Sequence, residues 1–255
     1  MTMKTLVTAN QKGGVGKTAT LVHLAFDFIE RGLRVVVIDL DTQANASFTL
    51  HAFNGPLSAS DLFSAIPPAT WPEPTEAPGM VLIGSDTSLP NIERLTLPVA
   101  GEHFRSSIAR LAAQGYDVCL IDTAPSLGVT MAAALLAADY VLSPIELEAY
   151  SIQGIKKLLT TIGNIKRANP TLRFLGMVPS KVDSRNPRHA RHLAELAGAY
   201  PQLMIPASVG LRSSIADALA TCVPVWRIRK TAARKAAQEV RDLATHVFTQ
   251  MEIHS

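Results

Sequence analysis

The stretch NQKGGVGKTAT, residues 10–20, decides the fold of this 255-residue chain. A short apolar run, residues 4–9, precedes it, and a run with apolar residues at helical spacing follows it. A strand, a glycine-rich turn and a helix N-terminus in this order form an anion site, because backbone N–H groups converge there and the helix dipole favours negative charge. The glycines at positions 13, 14 and 16 let the backbone wrap around phosphate oxygens without side-chain obstruction.

The same stretch departs from the strict phosphate-loop pattern, G-x-x-x-x-G-K-[ST], at its first position. Gln11 stands where that pattern has a glycine, and an additional lysine, Lys12, follows it. The end of the pattern is intact, so Lys17 is predicted to neutralise nucleotide phosphates and the Thr18 hydroxyl to bind Mg²⁺. Ala19 comes next and offers a backbone N–H but no hydroxyl. The spacing therefore predicts a nucleotide site with one lysine more than the pattern requires.

Aspartates end two further apolar runs of the sequence. Asp39 and Asp41 lie at the end of LRVVVIDLD, and Asp122 lies at the end of YDVCLID. Asp122 occupies the Walker B position, where a carboxylate holds Mg²⁺, often through a water. We expect Asp39 to face the same Mg²⁺ shell and Asp41 to orient or deprotonate an attacking water. A single aspartate here is equally well explained as a helix cap or a turn residue, but three of them with a phosphate loop indicate a metal–nucleotide site.

Strands and helices alternate along the rest of the chain. Further strands are predicted at residues 33–41, 80–85, 116–122, 139–144, 173–178 and 203–207, and helices at 151–167, 187–199 and 230–250. This alternation predicts an α/β fold in which a doubly wound, mostly parallel sheet is flanked by helices, with residues 1–255 forming a single domain. Residues 54–79 contain six of the 16 prolines and are predicted to form a surface excursion with a short helix near residues 59–65.

The net charge of +3 conceals an asymmetry between the two halves of the chain. Residues 1–127 carry 8 Lys/Arg and 12 Asp/Glu, whereas residues 128–255 carry 16 Lys/Arg and 9 Asp/Glu. Within the helical C-terminal region, residues 208–250, five cations cluster in residues 227–235, which we call the basic segment: Arg227, Arg229, Lys230, Arg234 and Lys235. Such a cluster binds DNA phosphates irrespective of sequence, and without interleaved aromatic residues it predicts no base stacking. A solvated helix end is the alternative interpretation.

The sequence contains only weak signals for the compartment of the protein and for association with a membrane. Cys119 and Cys222 have no partners at metal-ligand spacing and lie in apolar surroundings, which predicts buried free thiols in a reducing cytosol. No apolar run reaches the length of a membrane span, and the N-terminal run is too short for a secretory signal. We therefore expect a cytoplasmic protein that does not associate with membranes.

Three motifs of the sequence, KGGVGKT (12–18), DLDTQANAS (39–47) and LIDTAPSLG (120–128), resemble the signatures of the ParA/MinD group of deviant Walker ATPases. The chain is most similar to short ParA-type plasmid partition ATPases, which lack an N-terminal helix-turn-helix. The resemblance implies a P-loop ATPase of weak intrinsic activity that uses Mg²⁺ and converts ATP to ADP and phosphate. It implies that ATP is bound by Lys12, Gly13, Gly14, Val15, Gly16, Lys17, Thr18 and Ala19, with base contacts from Ser180 and Pro206.

By the same resemblance, Lys12 is a signature lysine that reaches across a nucleotide-sandwich dimer to the partner's phosphates, and Asp41 positions the hydrolytic water. A cation supplied in this way acts like an arginine finger, which contributes about 10³–10⁵ in rate. Since facing phosphates repel without such cations, the dimer would depend on ATP. A surface lysine beside the loop is the alternative for Lys12. Two departures from the family pattern, Ala19 instead of threonine and Thr42 instead of proline, bear on rate and affinity.

The resemblance extends to the later part of the chain. It implies a DNA contact by Arg212 and dimer-interface positions for Pro144, Glu146 and Tyr150. The implied function is segregation of plasmid or chromosomal DNA: an ATP-bound homodimer binds DNA non-specifically on the nucleoid, and a ParB-type centromere-binding partner stimulates hydrolysis and release.

Other ATPases with related loops are weighed against this interpretation. A membrane-surface ATPase of the MinD type needs a C-terminal amphipathic helix with basic flanks, and no basic residue follows Arg241 apart from histidine. An electron-transfer ATPase like the nitrogenase iron protein needs paired cysteines at the dimer interface. A non-enzymatic ATP-binding scaffold would not need Asp41 or Lys12. A ParA-like ATPase that positions a cargo other than DNA shares the chemistry and stays open.

Overall fold

A sheet of seven parallel strands lies at the centre of the computed structural model, which describes residues 2–74, 77–148 and 151–253. The strands are β1 (Lys4–Thr8), β2 (Arg34–Leu40), β3 (Asn54–Ser58), β4 (Gly79–Gly84), β5 (Val118–Thr123), β6 (Tyr140–Glu146) and β7 (Arg173–Ser180). Their order across the sheet is β3-β4-β2-β5-β1-β6-β7, and all neighbouring pairs are parallel. Strand β1, which leads into the glycine loop, thus lies between β5 and β6.

Helices connect most of the strands. Those of the described residues are α1 (Lys17–Glu30), α2 (Asn45–Thr49), α3 (Leu97–Ala113), α4 (Val129–Ala137), α5 (Ser151–Ala168), α6 (Pro187–Ala199), α7 (Ser213–Ala220) and α8 (Thr231–Gln250). Short 3₁₀ helices lie at His51–Phe53, Ala59–Phe63, Leu89–Arg94, Pro201–Leu203 and Val225–Arg227. The helices predicted at 151–167, 187–199 and 230–250 are confirmed, with bounds that agree to within one residue.

Helices cover both faces of the sheet, as the apolar strands predict. Along β2, Val36 and Ile38 point into one core, whereas Val35 and Val37 point into the other. The first core receives side chains from α3, α4 and α5, and the second receives side chains from α1 and α8. A strand buried on both faces reads as a nearly continuous apolar run, which is why residues 35–38 of β2 have no polar alternation. The predicted doubly wound α/β fold is confirmed.

Two segments differ from the sequence-based expectation. The predicted strand at residues 203–207 is wrong: this segment forms an isolated parallel bridge between Met204 and Met177 rather than a strand of the sheet. Pro201 and Pro206 flank that bridge, and proline cannot donate to a ladder. Conversely, the proline-rich excursion contains the edge strand β3, which tolerates Pro56 because its outer side has no strand to pair with.

The rest of the excursion is partly packed. The short helix predicted near residues 59–65 is a 3₁₀ helix, Ala59–Phe63, and Phe63 stacks on Phe104 of α3 with ring centroids 4.8 Å apart. Of the two free thiols, Cys119 is buried in β5, where burial raises its pKa, whereas Cys222 is half-buried and so differs from the expectation. Across the described residues, no helix combines the length and apolar character needed to cross a membrane.

Candidate nucleotide-binding site

Three strands bring polar side chains to one edge of the sheet. Asp39 at the end of β2 lies in register with Asp122 of β5, and Thr8 at the end of β1 lies on the other side of Asp122. Ligands of open α/β sheets bind outside the carboxyl ends of the strands, which is this edge. The glycine loop leaves β1 here too, so the strand-end acids and the loop meet as the sequence predicts.

The glycine loop needs glycine at two positions. Gly14 and Gly16 have φ values of 75° and 93°, in the left-handed region that other residues rarely adopt. At Gly16 a side chain would also collide with Ser180, whose Oγ lies 2.6 Å from the ideal Cβ position. Asn10 fixes the start of the loop, since its Oδ1 accepts from the Lys12 backbone N–H at 2.9 Å and its Nδ2 donates to the Pro144 carbonyl at 2.8 Å.

The Thr18 hydroxyl and the Asp122 carboxylate form the polar centre of the site. Thr18 Oγ1 donates to Asp122 Oδ2 at 2.5 Å, and Thr8 Oγ1 donates to Asp122 Oδ1 at 3.1 Å. Complete burial, together with the nearby charge of Asp39, raises the pKa of Asp122 to about 7. The carboxylate is therefore poorly stabilised as an anion, and a cation beside it would hold it ionised.

These residues fit a magnesium ion bound together with phosphates. Mg²⁺ in nucleotide sites is held by one or two protein oxygens and takes its remaining ligands from phosphates and waters. The described residues include no group of three or more His, Cys, Asp or Glu that could hold a metal, so an all-protein site is not offered by them. Thr18 and Asp122 supply the oxygens that a phosphate-bound Mg²⁺ would need.

Lys17 folds back over the glycine loop. Its side chain is 6% exposed, and its Nζ donates to the Lys12 carbonyl at 3.3 Å. Burial lowers the pKa of Lys17, although the charges of Asp122 and Asp41 act in the opposite direction. The carbonyl that accepts from this buried ammonium carries no full negative charge. A phosphate bound in the loop would supply that charge and so stabilise the ammonium.

Asp39 and Asp41 have different surroundings although two residues separate them in sequence. Both oxygens of Asp39 accept hydrogen bonds: Oδ1 from the Asp41 N–H at 3.0 Å, and Oδ2 from Ser47 N and Oγ at 2.8 and 2.7 Å. Burial raises the pKa of Asp39 and these donors oppose the rise. Asp39 thus positions Asp41 and the start of α2, and its place in a Mg²⁺ shell stays a prediction.

Asp41 faces an open cavity of about 470 Å³ beside the loop. Lys17, Thr18 and Pro125 line the same cavity, as does Leu219 at the end of α7. One oxygen of Asp41 accepts from the Gln43 N–H at 3.0 Å. The volume lies within the range of about 300–1,000 Å³ that small-molecule sites occupy. We call this the phosphate cavity.

The predicted base contacts separate in space. Ser180 lines an apolar cavity of about 190 Å³ that adjoins the phosphate cavity, because Ala19 and Leu219 line both. Pro206 instead lines a third cavity, next to Met204 and the carboxylate of Glu239. Of the two predicted residues, Ser180 is therefore the one that lines a cavity adjoining the phosphate cavity, and a base contact by either residue stays a prediction.

Lys12 is held by its own chain. Its Nζ lies 2.8 Å from Glu146 Oε2 and 2.5 Å from Glu148 Oε2, and Glu146 also pairs with Lys181 at 3.1 Å. Burial acts to lower the pKa of Lys12, but the two carboxylates outweigh it and the pKa is raised. The side chain is 46% exposed, so the ion pairs are screened by water and exchange readily. Tyr150, predicted near the same interface, lies outside the described residues.

Four cations of the basic segment, Arg227, Arg229, Arg234 and Lys235, are exposed and form no recorded ion pair within the described chain. Lys230 differs from them because it pairs with Asp217 of α7 at 2.6 Å. Arg212 donates two hydrogen bonds of 2.9 and 2.5 Å to Glu239, whose carboxylate neutralises the charge of the guanidinium. A DNA contact by Arg212 stays a prediction, and this geometry gives more weight to the four exposed cations.

Sequence reasoning missed three residues that hold the site. Ser47 is bound to Asp39 within the motif DLDTQANAS, where its position three residues into α2 was the available signal. Glu93 accepts from Val129 N, Thr130 N and Thr130 Oγ1 at 2.7, 3.1 and 2.7 Å, and so caps α4 from a distant part of the chain. No sequence signal identifies Glu93. The third residue, His23, lies on the buried side of α1.

Glu93→Ala is expected to lower the free energy of unfolding by about 1 kcal/mol, the usual contribution of a helix N-cap. Burial acts to raise the pKa of Glu93, but hydrogen bonds from Thr130 and Val129 outweigh it and lower the pKa. The contribution is therefore complete above the ordinary pKa of 4.5 and is lost as pH falls below it. Urea unfolding at pH 7 and pH 4 measures both values. Glu102→Ala, which removes an exposed glutamate of α3, is the matched control, and equal losses in the two variants would refute the cap.

The model of the AAA domain family matches residues 3–174. Protein IncC of Escherichia coli is 69% identical over 258 residues, covering 99% of this chain and 71% of IncC. The chromosome partitioning protein ParA of Caulobacter vibrioides is 33% identical and covers 72% of each chain. The structure of cobyrinic acid a,c-diamide synthase from Mycobacterium smegmatis, with bound ATP analogue and magnesium, superimposes with a TM-score of 0.78, at 27% identity over 97% of this chain and 95% of the synthase.

Proposed function

This chain belongs to the ParA/MinD superfamily of Walker ATPases, within its plasmid partition type, and from that membership we propose that ATP switches it between a free and a DNA-bound state. It is a partition ATPase that hydrolyses ATP to ADP and phosphate. In the proposed cycle, ATP joins two copies into a dimer, the dimer binds nucleoid DNA irrespective of sequence, and a ParB-type partner stimulates hydrolysis and release. The observation that carries the proposal is the meeting of the loop, the Thr18–Asp122 pair and Asp41 around one cavity.

ATP with magnesium is the ligand that this arrangement supports. The ATP analogue and magnesium in the related synthase support the same pair of ligands here. The N–H groups of the loop, residues 12–19, would bind the phosphates, with Lys17 as their buried counter-charge. Magnesium, held by Thr18 and Asp122, would neutralise charge on the β- and γ-phosphates.

Hydrolysis would depend on what Asp41 does in the phosphate cavity. One of its oxygens is fixed by the Gln43 N–H, so the carboxylate is held in a defined orientation. The other oxygen is placed to accept a proton from a water that attacks the γ-phosphorus. The role of Asp39 is to position Asp41, because its Oδ1 accepts from the Asp41 N–H. Asp41 therefore acts on the reacting water and Asp39 acts through Asp41.

Dimerisation would transfer Lys12 from its own carboxylates to the partner's phosphates. Glu146 and Glu148 hold the ammonium in the single chain, and a phosphate group carries more charge than either carboxylate. The exchange is feasible because Lys12 and Glu148 are solvent-exposed, and an exposed ion pair contributes roughly 0–1 kcal/mol. The carboxylates would keep Lys12 extended beside the loop until ATP is bound on both subunits.

The basic segment is the surface that we propose for DNA. Four of its five cations, all except Lys230, form no ion pair among the described residues, so their counterions can be released when phosphates bind. Two copies in a dimer double the number of phosphate contacts. Release of the segment from DNA would then follow from separation of the dimer after hydrolysis.

DNA affinity is expected to depend on ATP and on the basic segment. Arg234→Ala with Lys235→Ala should weaken binding to all DNA sequences alike and reduce the slope of log affinity against log salt by about two units per protomer. Fluorescence anisotropy with ATP and Mg²⁺, with ADP and Mg²⁺, and without nucleotide gives these values.

Arg105→Ala is the matched control for this experiment. Arg105 is an exposed cation of α3, on the opposite face of the sheet from α8. An equal change in the control would make the effect one of net charge rather than of the basic segment. DNA affinity of the unaltered protein that does not respond to ATP would contradict the proposed cycle and favour a cargo other than DNA.

A further inference from the structure

His23 joins the start of helix α1 to the segment that precedes the basic segment. The ring is 1% exposed, with Nδ1 2.7 Å from the Ala19 carbonyl and Nε2 3.2 Å from the Val225 N–H. A carbonyl accepts and an N–H donates, so Nδ1 carries the proton and Nε2 accepts. Burial lowers the pKa of His23 to about 4, which keeps the ring neutral at physiological pH. The contacts thus define one tautomer and one orientation.

At one end of this bridge lies the nucleotide site. Ala19 is in the first turn of α1, and it lines both the phosphate cavity and the apolar cavity. The N–H groups of a first helical turn bind phosphates, so a nucleotide in the loop contacts the turn whose carbonyl holds the imidazole. His23 itself lines the apolar cavity.

At the other end lies the start of the basic segment. Val225 is fully buried, and Trp226 packs edge-on against the His23 ring with centroids 6.1 Å apart. Trp226 also donates to Glu30 at 2.8 Å and lies 3.7 Å from the Arg241 guanidinium. Arg227, the first cation of the basic segment, follows directly. The position of the segment is therefore set by contacts with α1 and α8.

We propose that His23 is a positioning residue that couples nucleotide binding at Ala19 to the placement of the basic segment. The inference rests on the proposed function, since it names a path, in addition to dimerisation, by which ATP would change DNA affinity. The hydrogen bond from the Val225 N–H to Nε2 joins the Val225–Arg227 turn to helix α1. The hydrogen bond from Nδ1 to the Ala19 carbonyl fixes the ring to the first turn of α1. When the first turn adjusts to phosphate, the ring moves with it and shifts the Val225–Arg227 turn.

Three substitutions separate the two bonds of the ring. His23→Gln can keep an acceptor near Nε2 for the Val225 N–H, whereas His23→Asn keeps a donor near Nδ1 for Ala19 and is too short to reach Val225. His23→Leu fills the space and keeps neither bond. For each, the measured quantity is the ratio of DNA affinities with and without ATP and Mg²⁺, beside ATP affinity by calorimetry and ATP-dependent dimerisation by light scattering.

In the unaltered protein the ratio is expected to be about 5- to 150-fold, the usual range of coupling between two sites. In His23→Leu and His23→Asn it should fall to the part of the ratio that dimerisation alone supplies, with ATP affinity within about threefold and dimerisation retained. His23→Gln should recover part of the ratio. If His23 only stabilises the fold, the three variants should rank differently in their affinity ratio. Leucine packs best in an apolar site, so His23→Leu should then be the least affected variant. Thermal unfolding of each variant records that order separately.

Trp226 offers a direct reading of the movement. In Trp71→Phe, which leaves Trp226 as the single tryptophan, ATP and Mg²⁺ should change the emission, and the added His23→Leu substitution should abolish that change. The inference is overturned if the leucine and asparagine variants keep the affinity ratio of the unaltered protein. If the unaltered protein shows no ratio above 1, the proposed function fails first, and the two failures are therefore distinguishable.

Discussion

Lys12→Ala is expected to abolish ATP-dependent dimerisation and to lower the partner-stimulated ATPase rate by about 10³- to 10⁵-fold, the contribution of a cation supplied to a transferring phosphoryl group. Two physical effects add. Without the lysines, the phosphates of two facing nucleotides repel each other across the interface. Within each site, charge that collects on the γ-phosphoryl oxygens loses a counter-charge. Light scattering with ATP and Mg²⁺ and phosphate release measure the two effects separately.

The matched control is Lys181→Ala. Lys181 pairs with the same carboxylate, Glu146, and its side chain is 45% exposed against 46% for Lys12. If Lys12 is only a surface lysine that pairs with Glu146 and Glu148, both substitutions remove partly exposed ion pairs and both should have small effects. A dimer in Lys12→Ala as stable as in the control would contradict the role across the interface. ATP affinity of the monomer should be nearly unchanged in Lys12→Ala.

The parts of the site that sequence predicted are those set by local structure and sheet register. A glycine loop between a strand and a helix sets its last residues at the helix N-terminus, so the positions of Lys17 and Thr18 were predicted from spacing alone. Asp122 was identified because a parallel strand ends at the edge where β1 ends. In each case the residue's neighbours in sequence fix its place, and the 2.5 Å contact between Thr18 and Asp122 follows from the fold.

The parts that sequence did not predict are pairings between side chains that are distant along the chain. Glu146 is 134 residues from Lys12, and Val225 is 202 residues from His23. Arg212 shows the same limit, since the resemblance implied a DNA contact for it, whereas the structure binds it to Glu239 of α8. Such pairings depend on how helices pack on the two faces of the sheet. Periodicity alone does not predict which residues of two helices contact each other.

The structure shows contacts of Ala19 that the missing hydroxyl at this position did not suggest. By resemblance this position lacks a hydroxyl for the α-phosphate, which looked like a loss. In the structure its carbonyl holds the His23 ring, and its small side chain lies where the phosphate and apolar cavities adjoin.

Asp41→Ala is expected to lower ATP turnover by about 10²- to 10⁴-fold, the range for loss of a positioned general base, while ATP binding and dimerisation persist. The side chain lines the phosphate cavity but donates nothing to the phosphates, so its removal should leave nucleotide affinity within a few-fold. Because release from DNA follows hydrolysis in the proposed cycle, the variant should accumulate as an ATP-bound dimer on DNA. Turnover assays and DNA dissociation rates with and without the ParB-type partner measure the two effects.

Asp41→Asn distinguishes a role of Asp41 in hydrolysis from a role in holding the backbone turn of residues 41–43. Asparagine keeps an oxygen that can accept the Gln43 N–H, which Asp41 holds at 3.0 Å, but it cannot take a proton from water. If Asp41 acts on the water, asparagine and alanine should slow turnover to the same extent. If Asp41 serves the backbone of residues 41–43 instead, asparagine should restore most of the rate, because the turn is kept. Undiminished turnover in the alanine variant would assign the water to another group altogether.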